Sequence, residues 1–292
     1  MDQNKFAPPG TMWVSGNIYM DIHEISNENW HEFYYSVTTS TEGSDSIVDY
    51  REILPNNVFP TDSSMIESDD NDTGMGAQKN KNNFFNIYYH HHYYSNYPVI
   101  MVSREKAQQF CAWRTKVVNA YLAAEAGEIE EYLPDHTYND VKQRLVYRLP
   151  TKQEWDKAGQ AGLESAKYPF GYEEIKNKNG TYKFGLDNVA YFNNTEEQNK
   201  YVHLRAPSLN GRKLIPPTYP VYYGKPNRFG LYNMPGNVSE YVKEDTIVKG
   251  LNWSDEMREY FIDENLPYKR PTMMIGFRCA CETGEPYNEV IN

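Results

Sequence analysis

Apolar positions in this chain come in short, largely aromatic clusters, and each cluster predicts a short element. Met12-Trp13-Val14 and Ile18-Tyr19-Met20-Asp21 read as two strands joined at Ser15-Gly16-Asn17. Trp30, Phe33 and Tyr34 share one face of a helix that Ser26 or Asn27 caps. Ser103 to Leu122 has the spacing of a longer amphipathic helix. Ser103 is its N-cap, and Ala107, Phe110, Cys111, Arg114, Val117, Val118 and Tyr121 follow the helical period. Thr151 to Glu154 is a Thr-x-x-Glu capping box that opens another helix, with Trp155 and Ala158 facing inward. Tyr219–Tyr223, Val248–Trp253 and Ile275–Ala280 read as three further strands.

The stretches between these clusters are polar. Residues 38–83 are acidic and predict a long surface excursion, and residues near 123–145 a second insertion. Asp70-Asn71-Asp72-Thr73-Gly74 lacks the register and the distal Glu of an EF-hand loop. Lys167 to Lys213 carries few periodic residues and predicts coil. With no repeat and no linker, the expectation is a single α+β domain over 1–292 with insertions near 38–83 and 123–145.

Composition narrows the function. Net charge is -11, with Lys and Arg scattered, so nothing neutralises a phosphate backbone and a nucleic-acid partner is not expected. The 26 Tyr, against 12 Phe and 5 Trp, suit short strands and loops whose rings are buried while their hydroxyls reach water or backbone. No apolar run approaches the roughly 20 residues of a membrane helix, so no transmembrane segment is expected. The opening Met1-Asp2-Gln3-Asn4-Lys5-Phe6 has no signal-peptide hydrophobic region. Localisation is therefore open: cytoplasmic, or cell envelope and periplasm if an export segment has been removed.

One stretch concentrates oxygen donors. In Asn227–Tyr241, Gly230 and Gly236 permit tight turns, Asn233, Asn237 and Glu240 offer oxygens, and Leu231, Tyr232, Met234 and Val238 can hold the loop rigid. Such a loop suits a hard cation such as Ca²⁺, and equally an Asn/Gly-rich turn bonding its own backbone. His90-His91-His92 cannot all face one ion from a strand, since alternate side chains point to opposite faces, and they read as a polar strand or loop. Cys111, Cys279 and Cys281 have no zinc-finger spacing; they read as buried thiols or, in an oxidising compartment, as one long-loop bridge. There is no phosphate loop, no Gly-x-Ser-x-Gly elbow, no His-Glu-x-x-His and no paired carboxylates that spacing alone nominates as acid and base.

Several ordered motifs nevertheless carry a resemblance. They are Val102–Trp113, Arg148-Leu149-Pro150-Thr151-Lys152-Gln153-Glu154-Trp155, Tyr168-Pro169-Phe170-Gly171, Asn227–Tyr241, Val248–Trp253 and Gly276-Phe277-Arg278-Cys279-Ala280. Together with the opening Gly16–Phe33, they resemble the formylglycine-generating enzyme, or sulfatase-modifying factor, family. The resemblance covers most of the chain outside the two insertions. It implies a loop-rich variant of the C-type lectin fold. The run Trp113-Arg114-Thr115, Val118-Asn119 and the long insertion after it look most like the gliding-motility lipoproteins of Bacteroidetes and their type IX secretion relatives.

Active members of that family oxidise a substrate cysteine with a copper-binding Cys pair between the Gly-Gly-Ser-Trp-like strand and the Gly-Phe-Arg strand. Here that interval is Ser254 to Ile275, without a Cys; Met257, Met273 and Met274 are poor replacements for redox thiols. The resemblance thus implies no catalytic residues, and neither copper nor iron as cofactor. It does imply Ca²⁺, held by the side chains of Asn233 and Glu240 and the carbonyls of Gly236 and Val238. Ser239 stands where a Trp usually precedes that Glu, and Lys249-Gly250-Leu251-Asn252-Trp253 where the family has Arg-Gly-Gly-Ser-Trp. A weaker second site would use Asn188 and Val189, although Lys200 to Leu214 lacks the Asp that would complete it. Cys111 and Cys279 match the family's structural disulfide. The expected function is a non-catalytic binding or structural module with a protein partner in a bacterial envelope assembly. The alternatives are a metal-dependent oxidase on the same fold, with ligands among His90, His91, His92 and His203, and a lectin-fold receptor-binding display protein that varies between Trp253 and Met274.

Overall fold

Short strands with alternate burial need partners, and this chain finds them far apart in sequence. A computed structural model describes residues 7–39, 55, 84–133, 140–163, 208–209, 212–213, 218–223, 226–255 and 264–284. Strands β1 (Thr11–Ser15) and β2 (Ile18–Asp21) form the expected hairpin, with Gly16 at φ 54° in the turn. Helix α1 (Asn27–Thr39) follows. Ser26 caps it, its Oγ accepting the Asn29 N–H at 3.2 Å. Asn27 instead sends its side-chain amide to the carbonyls of Tyr88 and Tyr94, both at 3.0 Å.

Residues 84–90 are helical, and His92–Tyr94 form one 3₁₀ turn capped by His91. The three histidines thus occupy a helix end and a turn, not a strand. Helix α2 (Arg104–Glu125) starts at the predicted Ser103 cap and runs three residues beyond Leu122, into the stretch expected as insertion. Its buried face also differs from the apolar reading. Thr115 and Asn119 are buried, whereas Tyr121 is 48% exposed. The hydroxyl of Thr115 accepts the Tyr147 N–H at 2.8 Å, and Asn119 grips Leu145 through both backbone groups, at 2.8 and 3.0 Å. These two side chains satisfy the edge of strand β3 (Leu145–Arg148) that faces away from β10 and so dock it on the helix. Helix α3 (Lys152–Gln160) opens on the predicted capping box, with Trp155 and Ala158 fully buried.

Ser208–Leu209 and Arg212–Lys213 pair as β4 and β5. Strands β6 (Ser239–Tyr241), β7 (Ile247–Lys249), β8 (Leu266–Pro267) and β9 (Ile275–Gly276) make a second sheet in the order β8-β7-β6-β9, with β6 and β9 parallel. Strand β10 (Ala280–Thr283) completes the first sheet, in the order β1-β2-β10-β3. Ile275–Ala280 is therefore not one strand: Phe277-Arg278-Cys279 crosses from one sheet to the other. The predicted strand at Val248–Trp253 ends at Lys249, where Gly250 turns at φ 79°. Tyr219–Tyr223 is a turn, since Pro220 cannot donate to a ladder and the Tyr219 backbone pairs with the Asn237 side chain instead.

The main core joins α1, α2 and both sheets through Trp30, Phe33, Phe110 and Phe277. Trp30 stacks on Phe110 at 5.7 Å and meets Phe277 edge-on at 5.9 Å. Among the described residues no helix is long and apolar enough to cross a membrane. The expected insertion at 38–83 lies outside the described residues apart from the end of α1 and residue 55.

Candidate functional site

The Asn-rich stretch folds as a tight loop leading into β6. Asn233 and Asn237 sit at φ 52° and 59°, the left-handed region that Asn tolerates better than most residues, and Gly236 at φ 102°. All four predicted calcium residues, Asn233, Gly236, Val238 and Glu240, are buried. Loop folding brings them together with two groups that the sequence analysis did not nominate, Glu24 at the entry to α1 and Arg278 in the crossover.

Glu240 is enclosed by donors. Arg278 Nε donates to its two carboxylate oxygens at 3.0 and 2.8 Å, and Nη2 donates to Oε1 at 2.7 Å. Trp155 Nε1 donates to Oε2 at 2.9 Å. Arg278 also reaches the carbonyls of Asp21 (3.2 Å) and Tyr232 (2.8 Å). Glu24, fully buried, accepts from Asn233 Nδ2 and from Asn237 Nδ2, both at 3.0 Å. Burial drives its carboxyl up to about 7; Arg278 opposes the rise and Glu240 adds to it. Beside this cluster, Asp21 pairs with Arg114 at 2.7 Å and accepts the Cys279 N–H at 2.7 Å.

Two of the four expected calcium residues, Asn233 and Glu240, are engaged in hydrogen bonds within the protein. A calcium cage turns carboxylate and carbonyl oxygens inward at about 2.3–2.6 Å. Here the only carboxylate of the expected ligand set is saturated by N–H donors, and Asn233 turns its amide N–H groups to Glu24 and to the Val221 carbonyl. Asn188 and Val189 lie outside the described residues.

The three thiols are buried together. Cys111 and Cys279 bring their sulfurs to 3.1 Å as free thiols, between α2 and the crossover. Cys281 lies two residues on, in β10. Burial pushes the Cys279 thiol well up and that of Cys281 to about 12, so neither forms a thiolate at neutral pH. In the interval where the resemblance places a copper pair, Ser254 Oγ lies 3.2 Å from the Met274 sulfur and Trp253 Nε1 donates to the Met273 carbonyl at 3.0 Å. Of the histidines, His90 lies beside His31 with near-parallel rings at 5.8 Å, and His91 stacks on His92 at 4.5 Å. Burial and His90 lower His31 to about 4. No three His, Cys, Asp or Glu converge on an ion position among the described residues, and His203 lies outside them.

Family comparison agrees with the motif order. The pattern of the family described as sulfatase-modifying factor enzyme 1-like domain matches residues 1–283. The chain belongs to this family. Curated sulfatase-modifying factor relatives include "Inactive C-alpha-formylglycine-generating enzyme 2" of Bos taurus, 25% identical over 212 residues, covering 66% of this chain and 53% of the relative. "Formylglycine-generating enzyme" of Thermomonospora curvata is 28% identical over 139 residues, 44% of this chain and 41% of the relative. The chain thus spans about half the length of the curated relatives it matches. Among solved structures it is similar to Treponema denticola variable protein 1 (14% identity, TM-score 0.40, covering 94% and 92% of the two chains) and to CarF (15%, 0.41, 94% and 95%). Within the site, Glu24 and Arg278 are what sequence reasoning missed. A Glu just before a helix cap and an Arg in a Gly-Phe-Arg run were the available signals.

Proposed function

We propose that this protein is a non-catalytic member of the sulfatase-modifying factor family, a binding or structural module on a single-domain, loop-rich scaffold of the C-type lectin kind. The observation that carries the reading is the burial of all three cysteines, each no more than 2% exposed, in a chain without a Cys between Ser254 and Ile275. Formylglycine chemistry of the copper type needs accessible thiolates in a cleft. Relatives named as inactive support the same reading.

The partner in this reading is a protein. Tyr222 is 55% exposed and lies edge-on to His23 at 4.1 Å and to Tyr232 at 5.9 Å, at the rim of the buried cluster. Rigid Tyr rings over a fixed loop favour protein contacts, because they bring large contact area at low entropic cost. An envelope assembly of the gliding or type IX secretion kind is the finer proposal. The Trp113-Arg114-Thr115, Val118-Asn119 run that motivates it is largely occupied in holding α2 to β3 and Asp21, so that run reports packing more than partner.

The test is direct. Purified protein with copper and oxygen is incubated with a Cys-containing sulfatase peptide, and aldehyde is read by mass spectrometry. No formylglycine is expected, and its appearance overturns the proposal.

A further inference from the structure

The guanidinium of Arg278 holds Glu240, one of the four expected calcium residues, and two carbonyls outside that set. Arg278 and Glu240 are both fully buried. One planar group links the Glu240 carboxylate on β6, the Tyr232 carbonyl in the loop and the Asp21 carbonyl at the end of β2. These are the connections a multidentate ion makes, provided here by a fork of N–H donors. The amides around it have donor polarity as well. Asn237 pairs both side-chain edges with the Tyr219 backbone, Oδ1 accepting at 2.9 Å and Nδ2 donating at 3.3 Å, which fixes its orientation. Asn233 Nδ2 has two acceptors, Glu24 Oε2 and the Val221 carbonyl. An ion at about 2.4 Å from a Glu240 oxygen would lie beside a buried positive group, where a low dielectric strengthens the repulsion.

We propose that Arg278 is the built-in cation of this loop, and that Asn233, Gly236, Val238 and Glu240 hold their geometry without bound calcium. The brace does not depend on whether the module is catalytic, so it stands or falls apart from the function proposed above. Glu24 completes it by drawing the two Asn side chains to one wall of the cluster.

The deciding measurement is an amide ¹H–¹⁵N spectrum of chelator-treated wild-type protein, titrated with Ca²⁺ to about 5 mM, above the weakest extracellular calcium affinities. The amides of Asn233, Gly236, Val238 and Glu240 are expected to stay in place. Saturable shifts at these amides overturn the proposal; shifts confined to other residues put an ion elsewhere and leave the brace intact. Independently, Arg278→Lys keeps the charge but loses the fork. It is expected to lower the melting temperature by about 10 °C, a loss that Ca²⁺ does not restore. An unchanged melting temperature, or full rescue by Ca²⁺, rejects the brace. Should this variant not fold, the wild-type titration decides alone.

Discussion

Trp155 donates its indole N–H to Glu240 Oε2 at 2.9 Å, which ties the first turns of α3 to the middle of the second sheet. Both residues are fully buried, so this bond is made away from water. Trp155→Phe keeps most of the ring area and removes the donor. The expected loss is about 1.5–3 kcal/mol, the range for a hydrogen bond to a charged group. Urea unfolding with an unchanged slope checks it; a midpoint equal to wild type would show that the bond contributes nothing.

Glu24 sets a pH dependence whose sign follows from its raised pKa. Folding moves its carboxyl from 4.5 to about 7. The folded state therefore holds the proton more tightly than the unfolded chain. Stability from this group is complete below about pH 4.5 and is lost as pH rises through 7. Arg278, Glu240, Asn233 and Asn237 are the charged and polar groups that face it. In Glu24→Gln the decline between pH 5 and pH 8 is expected to flatten. Melting curves for the two proteins that stay parallel across this range would reject the assignment.

Gly276 leaves no space for a methyl group. A Cβ there would lie 2.9 Å from Val238 Cγ2 and 3.1 Å from the Val99 carbonyl. Val238 belongs to the central loop, so the clash reaches the cluster. Gly276→Ala is expected to cost about 1–3 kcal/mol, the usual range for overpacking. Chemical denaturation reads it, and an unaltered midpoint would mean that the loop yields freely.

Cys111 and Cys279 are poised for one bridge. Their sulfurs are 3.1 Å apart across a sequence separation of 168 residues. Closing so long a loop stabilises by about 4–5 kcal/mol on the chain-entropy model. After mild oxidation and denaturation, only Cys281 is expected to take up an alkylating reagent. Peptide mapping that finds Cys281 in the bridge would contradict the pairing.

Elements with local causes were legible in the sequence. The β1–β2 hairpin, the Ser103 cap and the Thr151–Glu154 box depend on neighbours a few residues away, and all three formed as expected. Elements decided at long range were not. Ile275–Ala280 looks like one apolar strand because both of its ends are buried, yet they are buried in different sheets. Thr115 and Asn119 are not among the periodic positions of the helix, although a strand edge needs their hydrogen bonds. The site followed the same division. Asn233, Gly236 and Glu240 stand out as a cluster in the sequence, whereas Glu24 meets Asn233 across 209 positions and nothing near Glu24 forecasts its burial.

Strand β10 sits between β2 and β3, and Ala280–Glu282 pair with Ile18–Met20 in one register. During synthesis the early hairpin is made long before this inner neighbour exists. Its open edge must wait on the ribosome for a strand more than two hundred and fifty residues downstream. Truncation just before Ala280 would take the middle strand out of the first sheet and expose two edges at once, a state prone to pair with other chains.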